Sequence, residues 1–178
     1  MNKKIEVTIQ GISPLLMHAF PMVEVKAIEK KTPEEQAEHC SYRTPENKLY
    51  IPGVAIQRCL INAASYSKGK GRASLVKVAA ACLLVEPEYC ILKQQKYTID
   101  IRPVVVPATK GRILRYRPRF DKWDCSFVVE YDPDLITEEQ LRIIVDDAGR
   151  RVGMLDFNPV HKGPFGRFMV KNWEIIKE

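Results

Sequence analysis

The hydrophobic period changes several times along this chain, and each change limits the folds open to it. Along Lys4–Gly11 the apolar residues Ile5, Val7 and Ile9 alternate with Glu6, Thr8 and Gln10. A period of two belongs to a strand with one buried and one wet face. From Ile51-Pro52-Gly53 onward the period lengthens, and Ile56, Leu60 and Ala63 recur at helical spacing, which leaves Arg58 off the apolar stripe. The strand period returns within Ile91–Val106, in Arg112–Phe120 and in Trp123–Tyr131. Glu138–Ala148 is helical again: Thr137 and Gln140 make a capping box, and Ile136 and Leu141 a hydrophobic staple. Its buried face is Leu141, Ile144, Val145 and Ala148, with Gly149 as C-cap. A last strand covers Phe168–Ile175.

In order these are strand, helix, strand–strand hairpin, helix, strand, the hairpin joining Arg112–Phe120 to Trp123–Tyr131 through Asp121-Lys122. That succession predicts an α+β fold of ferredoxin-like (RRM-like) type: an antiparallel sheet with helices on one face, plus inserted loops. The 178 residues suit one domain, 1–178. Short helices are expected near Pro33–His39 and over Ser74–Cys82, and brief strands at Leu83–Val85 and Arg151–Met154. Within Ile91–Val106, Ile99 and Ile101 are expected inward and Asp100 and Arg102 outward, with Pro103 and Pro107 marking an edge. Two stretches are irregular. Residues 22–48 are polar and poor in aromatics, which predicts a projecting insertion; residues 153–168 form a glycine- and proline-rich loop.

Arg112–Phe120 carries the sharpest functional signal. As a strand it sets Arg115, Arg117 and Arg119 on one side, and Leu114, Tyr116 and Phe120 on the other, where Tyr116 and Phe120 could pack inward or stack on bases. Guanidinium groups roughly 7 Å apart repel one another unless water or a polyanion lies against them. The net charge is +6 and the pI about 9.1. The cations are clustered. No acid stands between Glu46 and Glu86, whereas Arg58, Lys68, Lys70 and Arg72 do; Arg102–Lys122 adds Lys110 and Arg112 to the arginine strand against Asp121 alone. Acids gather in Glu24–Glu46 and Asp132–Asp147. Such a chain is two-faced electrically, as a groove for an acidic partner requires. In the glycine loop, Lys162 and Arg167 flank backbone amides that glycine leaves unhindered, and Phe157 and Phe165 could wedge or stack.

Several chemistries are disfavoured. The cysteines at 40, 59, 82, 90 and 125 show no zinc spacing, so neither metal nor cofactor is expected. The glycine loop is neither a Walker loop nor GxGxxG, and it sits between a helix and a strand. His18, His39 and His161 form no recognisable pair with a serine or cysteine. His18 could act as a general base, and Asp156 could hold a metal or orient a water, but no catalytic residue is assigned. No apolar run approaches the roughly 18 residues of a membrane span, and the cysteine usage suits a reduced, cytoplasmic compartment.

The N-terminal strand, Ile51-Pro52-Gly53 opening a helix with Arg58, and the C-terminal glycine loop together resemble the RAMP superfamily of CRISPR-associated proteins, with the backbone subunits of CRISPR effector complexes looking most similar. Gly149-Arg150-Arg151-Val152-Gly153, Asp156-Phe157 and Gly163-Pro164-Phe165-Gly166-Arg167-Phe168 also resemble short stand-alone proteins of that type in phage and prophage genomes. The resemblance implies a nonenzymatic protein that binds single-stranded RNA, or DNA, along its backbone. It further implies head-to-tail copies, contact with other effector-complex subunits, and a projecting loop within 22–48 that interrupts base stacking. Arg58 would belong to the helix facing the strand, and Lys162 and Arg167 to the glycine loop. Two alternatives stay open: the crRNA-processing endoribonuclease branch of the superfamily, with His18 as its early histidine, and a phage single-strand DNA-binding or annealing protein.

Overall fold

The computed structural model describes residues 2–21, 28–68 and 74–177. Strand β1 (Lys3–Gly11) and the short β2 (Leu15–Leu16) precede helix α1 (Pro33–His39). β3 (Tyr50–Pro52) runs directly into α2 (Gly53–Ala63), and α3 (Val76–Cys82) leads to β4 (Leu84–Glu86). Then come β5 (Tyr89–Ile91), β6 (Thr98–Val105), β7 (Arg112–Phe120), β8 (Asp124–Tyr131), α4 (Glu138–Asp147) and β9 (Phe168–Ile176).

The main sheet is antiparallel, in the order β4-β8-β1-β9. Alternation in the sequence sets its register: Ile5 lies opposite Val129, Val7 opposite Phe127 and Ile9 opposite Cys125. A slip by one residue would turn this whole row to solvent. Each of the six is at most 2% exposed, and burying a side chain such as Val, Ile or Phe contributes about 1.5–3 kcal/mol. α2 adds Ile56, Leu60 and Ala63 to the same core, and α4 adds Leu141, Ile144 and Val145. Both N-terminal capping boxes form, Thr32 with Glu35 on α1 and Thr137 with Gln140 on α4. The architecture is α+β, with antiparallel sheets. Among the described residues no helix is long and apolar enough to cross a membrane.

The structure departs from the sequence reading at four places. β7 and β8 are not a hairpin. β8 joins the main sheet, whereas β7 lies between β2 and β6 in a second sheet. Phe120 and Trp123 enter the core on either side of Asp121-Lys122, and both edges of β8 are taken, one by β1 and the other by β4. The hairpin is instead β6–β7, so β7 is central and β6, with Pro103, is the edge. Second, the faces of β6 are the reverse of those expected: Asp100 is 5% exposed and Ile101 56%, because Asp100 is neutralised by arginines. Third, α4 continues past Gly149 through a wide turn, Ala148–Val152, closed by Gly153 N–H donating to the Ala148 carbonyl at 2.8 Å. This turn replaces the strand expected at Arg151–Met154, and Gly149 is buried within it rather than capping the helix. Fourth, in the expected projection 22–48, residues 22–27 lie outside the described residues, and the remainder does not stand free. α1 packs on β7, Ala37 is fully buried, and Glu38 binds Arg43 and the Tyr97 hydroxyl.

Candidate functional site

Cross-strand register puts Arg115, Arg117 and Arg119 on one face of the β6–β7 hairpin, opposite Arg102, Asp100 and Thr98 in turn. The row is not an open track. Arg117 is 5% exposed, its Nη1 2.5 Å from Asp156 Oδ2 and its Nη2 3.7 Å from Asp100 Oδ2. Arg119 donates to Asp121 at 2.8 Å and lies 3.8 Å from Asp100. Arg102 bonds Asp100 through Nε at 2.9 Å. Arg102 and Arg119 also lie over the ring of Phe165, 4.9 and 5.8 Å from its centroid. Phe165 is itself buried. Carboxylates thus neutralise both Arg117 and Arg119; Arg117 is buried, whereas Arg119 keeps 34% of its side chain exposed. Lys110, Arg112 and Arg115, towards the hairpin turn, have no carboxylate within ion-pair distance among the described residues.

His18 joins this network, with Nδ1 3.4 Å from Asp156 Oδ2. The hydrogen bond to Asp156, and a second to Cys40, push its imidazole up to about 9 despite burial. Burial pushes the Asp156 carboxyl up, but the His18 bond and the charge and bond of Arg117 outweigh it and hold the group at about 2. His18 is then an imidazolium at neutral pH, a proton donor rather than a base.

In the glycine loop, the amides of the glycines are already bonded within the fold. Met154 N–H donates to Gly166, Gly166 N–H to Pro14, Gly163 N–H to Asn158, Phe165 N–H to Phe157, and Arg167 N–H to the Ser13 hydroxyl. Its glycines serve close packing: a Cβ on Gly163 would overlap the Phe157 carbonyl, and one on Gly166, at φ +75°, the Met154 backbone. Lys162 is exposed in the left-handed region at φ 60°, and Arg167 is exposed at the start of β9.

What the loop does build is one wall of a cleft of about 450 Å³, with α2 as the other wall. Arg58 and Asn62 reach it from α2, Leu155, Val160 and His161 from the loop, and Tyr42 closes one end. No side chain caps the N-terminus of α2, and no acid lies in its first turn. Burial raises the Tyr42 phenol, and so does the Asp156 charge, which places the His18–Asp156 pair beside that end. His161 is held by Asn158. Asn158 Nδ2 donates to the carbonyls of Leu155 at 2.9 Å and Gly153 at 3.4 Å, so its Oδ1 faces His161 as the acceptor. Both the backbone N–H of His161, at 3.2 Å, and Nδ1, at 3.1 Å, reach that oxygen. Nδ1 thus carries the proton, and Nε2 is the free ring nitrogen.

A second hollow of about 340 Å³ shares Asn62, Val152 and Val160 with the first and runs on to Tyr66, whose ring lies 4.7 Å beneath the Arg151 guanidinium. Lys68 follows Tyr66 and is exposed; Lys70 and Arg72 lie outside the described residues. The lining of the two hollows contains no carboxylate. The structure thus brings Arg58 and the glycine loop to one groove, and places Lys110, Arg112 and Arg115 on the hairpin instead. Tyr42, Asn62, Tyr66 and His161 had no assigned role in the sequence, and Arg151 is ion-paired with Asp147 at 2.9 Å. The Asn158-Pro159-Val160-His161 spacing, a capped single turn, is the one local signal for any of them.

The open face of the main sheet has the opposite character. Glu6, Glu86, Asp124, Glu130 and Glu174 lie there, Lys4 is paired with Glu86 and Glu130, and there is no aromatic ring among its described residues. Stacking and phosphate contacts of the RRM kind have no support on that face. Burial pushes the Cys59 thiol beneath the cleft up to about 12, so it is no nucleophile. Among the described residues no three His, Cys, Asp or Glu side chains converge on a common point. No protein-family model matches this chain, and no curated protein matches it.

Proposed function

We propose that the protein binds single-stranded nucleic acid, RNA in preference to DNA, in the groove between α2 and residues 153–168, and that copies assemble along the strand. The observation that carries this reading is the lining of the two hollows, which holds Arg58 and His161 and includes no carboxylate. The strand order β4-β8-β1-β9, with α2 and α4 as the crossovers, supports a ferredoxin-like split βαβ frame, and with it the likeness to the RAMP superfamily. Five free cysteines suit a reducing, cytoplasmic setting. Asp156 holds a proton on His18. An endoribonuclease using His18 as base would need that proton removed.

Fluorescence anisotropy with a labelled oligouridine tests the reading. Arg58→Ala should weaken binding about ten-fold, the loss of one charge-assisted contact. Arg117→Ala should leave the affinity of the folded protein unchanged and instead lower stability by about 1–3 kcal/mol, because Asp156 and Asp100 each lose one charged partner while His18 and Arg102 remain. Wild-type affinity in Arg58→Ala would move the site off this groove.

A further inference from the structure

We propose that the cleft between α2 and residues 153–161 holds the unstacked base of one nucleotide, so that the strand is gripped by a base as well as by its phosphates; this rests on the single-strand reading above. The lining divides by chemistry. Val54, Ala55, Val152, Leu155 and Val160 form apolar walls, while Arg58, Asn62 and His161 supply polar groups. A bare phosphate would use the cations and leave the aliphatic walls facing water. A neutral apolar ligand would use the walls and leave Arg58 without a counter-charge. A nucleotide uses both, its flat π surface against the walls and its anion on the guanidinium. The volume of about 450 Å³ falls in the range of roughly 300–1,000 Å³ found for small-ligand sites. Val54 is 68% exposed and Val160 52%, so the mouth of the cleft is apolar surface that a base would cover.

Two groups could read the edge of that base. The Asn62 carboxamide offers a donor and an acceptor and makes no side-chain hydrogen bond among the described residues. His161 offers Nε2 from a ring whose orientation is fixed by the bonds of its other nitrogen and its backbone to Asn158. A fixed ring loses little entropy on binding, which favours recognition over mere attraction.

The test compares two probes of equal length under one salt condition, an oligouridine and the corresponding abasic ribose-phosphate strand. The oligouridine should bind roughly ten-fold more tightly, the contribution of one stacked base. Val160→Trp fills the cleft from an exposed position that the fold tolerates. It should weaken the oligouridine more than the abasic strand and so remove most of the difference between them. Equal wild-type affinity for both probes would overturn the base pocket and leave phosphate binding standing. Equal weakening of both probes by Val160→Trp would also overturn it, since the residue would then act on the groove as a whole. If neither probe binds the wild-type protein, the single-strand reading fails and the base pocket with it.

Discussion

His18 keeps its proton in the folded chain up to about pH 9, whereas an unfolded imidazole releases it near 6.5. The stabilisation from its bond to Asp156 is therefore complete below pH 6.5 and is lost as pH rises through 9. Asp156 works in the other direction. Its carboxyl is held at about 2 against 3.8 when free, so its share is present above pH 3.8 and lost as pH falls through 2. The melting temperature should fall between pH 6.5 and 9 in the wild-type protein and lose much of that slope in His18→Gln, measured by differential scanning calorimetry. An unchanged slope in the variant would assign the effect to other groups. At this scale the sequence was legible in part. It put Arg115, Arg117 and Arg119 on one face, which follows from strand geometry alone. It did not reveal that Asp156, 39 residues further on, meets Arg117, since nothing local to either residue encodes the other.

Helices were read accurately because their signals are short-range: Thr137 and Gln140 find each other within one turn. The end of α4 was misread because its cause is remote. Gly149 is glycine not for a left-handed cap but because a Cβ there would strike the backbone of Phe168, where β9 begins. Gly149→Ala should therefore destabilise by about 1–3 kcal/mol, as an overpacked core does, although alanine is the better helix former. Urea denaturation checks this, and a stability gain would show that the helix preference wins. The same distinction explains the β7–β8 error. Asp121-Lys122 resembles a hairpin turn locally, but strand pairing is set by which apolar rows must face each other, and β8 is matched to β1.

Among the described residues the charges include an acidic open sheet face, a self-neutralised arginine network under the β6–β7 hairpin with Lys110, Arg112 and Arg115 beyond it, and a groove whose lining holds Arg58 and no acid. A strand held by Arg58, Lys68 and Lys162 at one phosphate each should give a plot of log affinity against log salt with a slope of about −2, at roughly 0.7 per phosphate. Titrations at several salt concentrations check it, and a flat plot would exclude phosphate-led binding. The sequence by itself determined the strand and helix periods, the N-terminal cap of α4 and the basic bias, because these are read along the chain without knowledge of remote contacts. Only the tertiary structure decided which cations remain available. It buried Arg117 against two aspartates and brought Cys59 of α2 to Gly153, 94 residues away, so that Arg58 and His161 face one cleft. The free energy of a charge depends on what surrounds it in space, and that is fixed only when distant segments pack together.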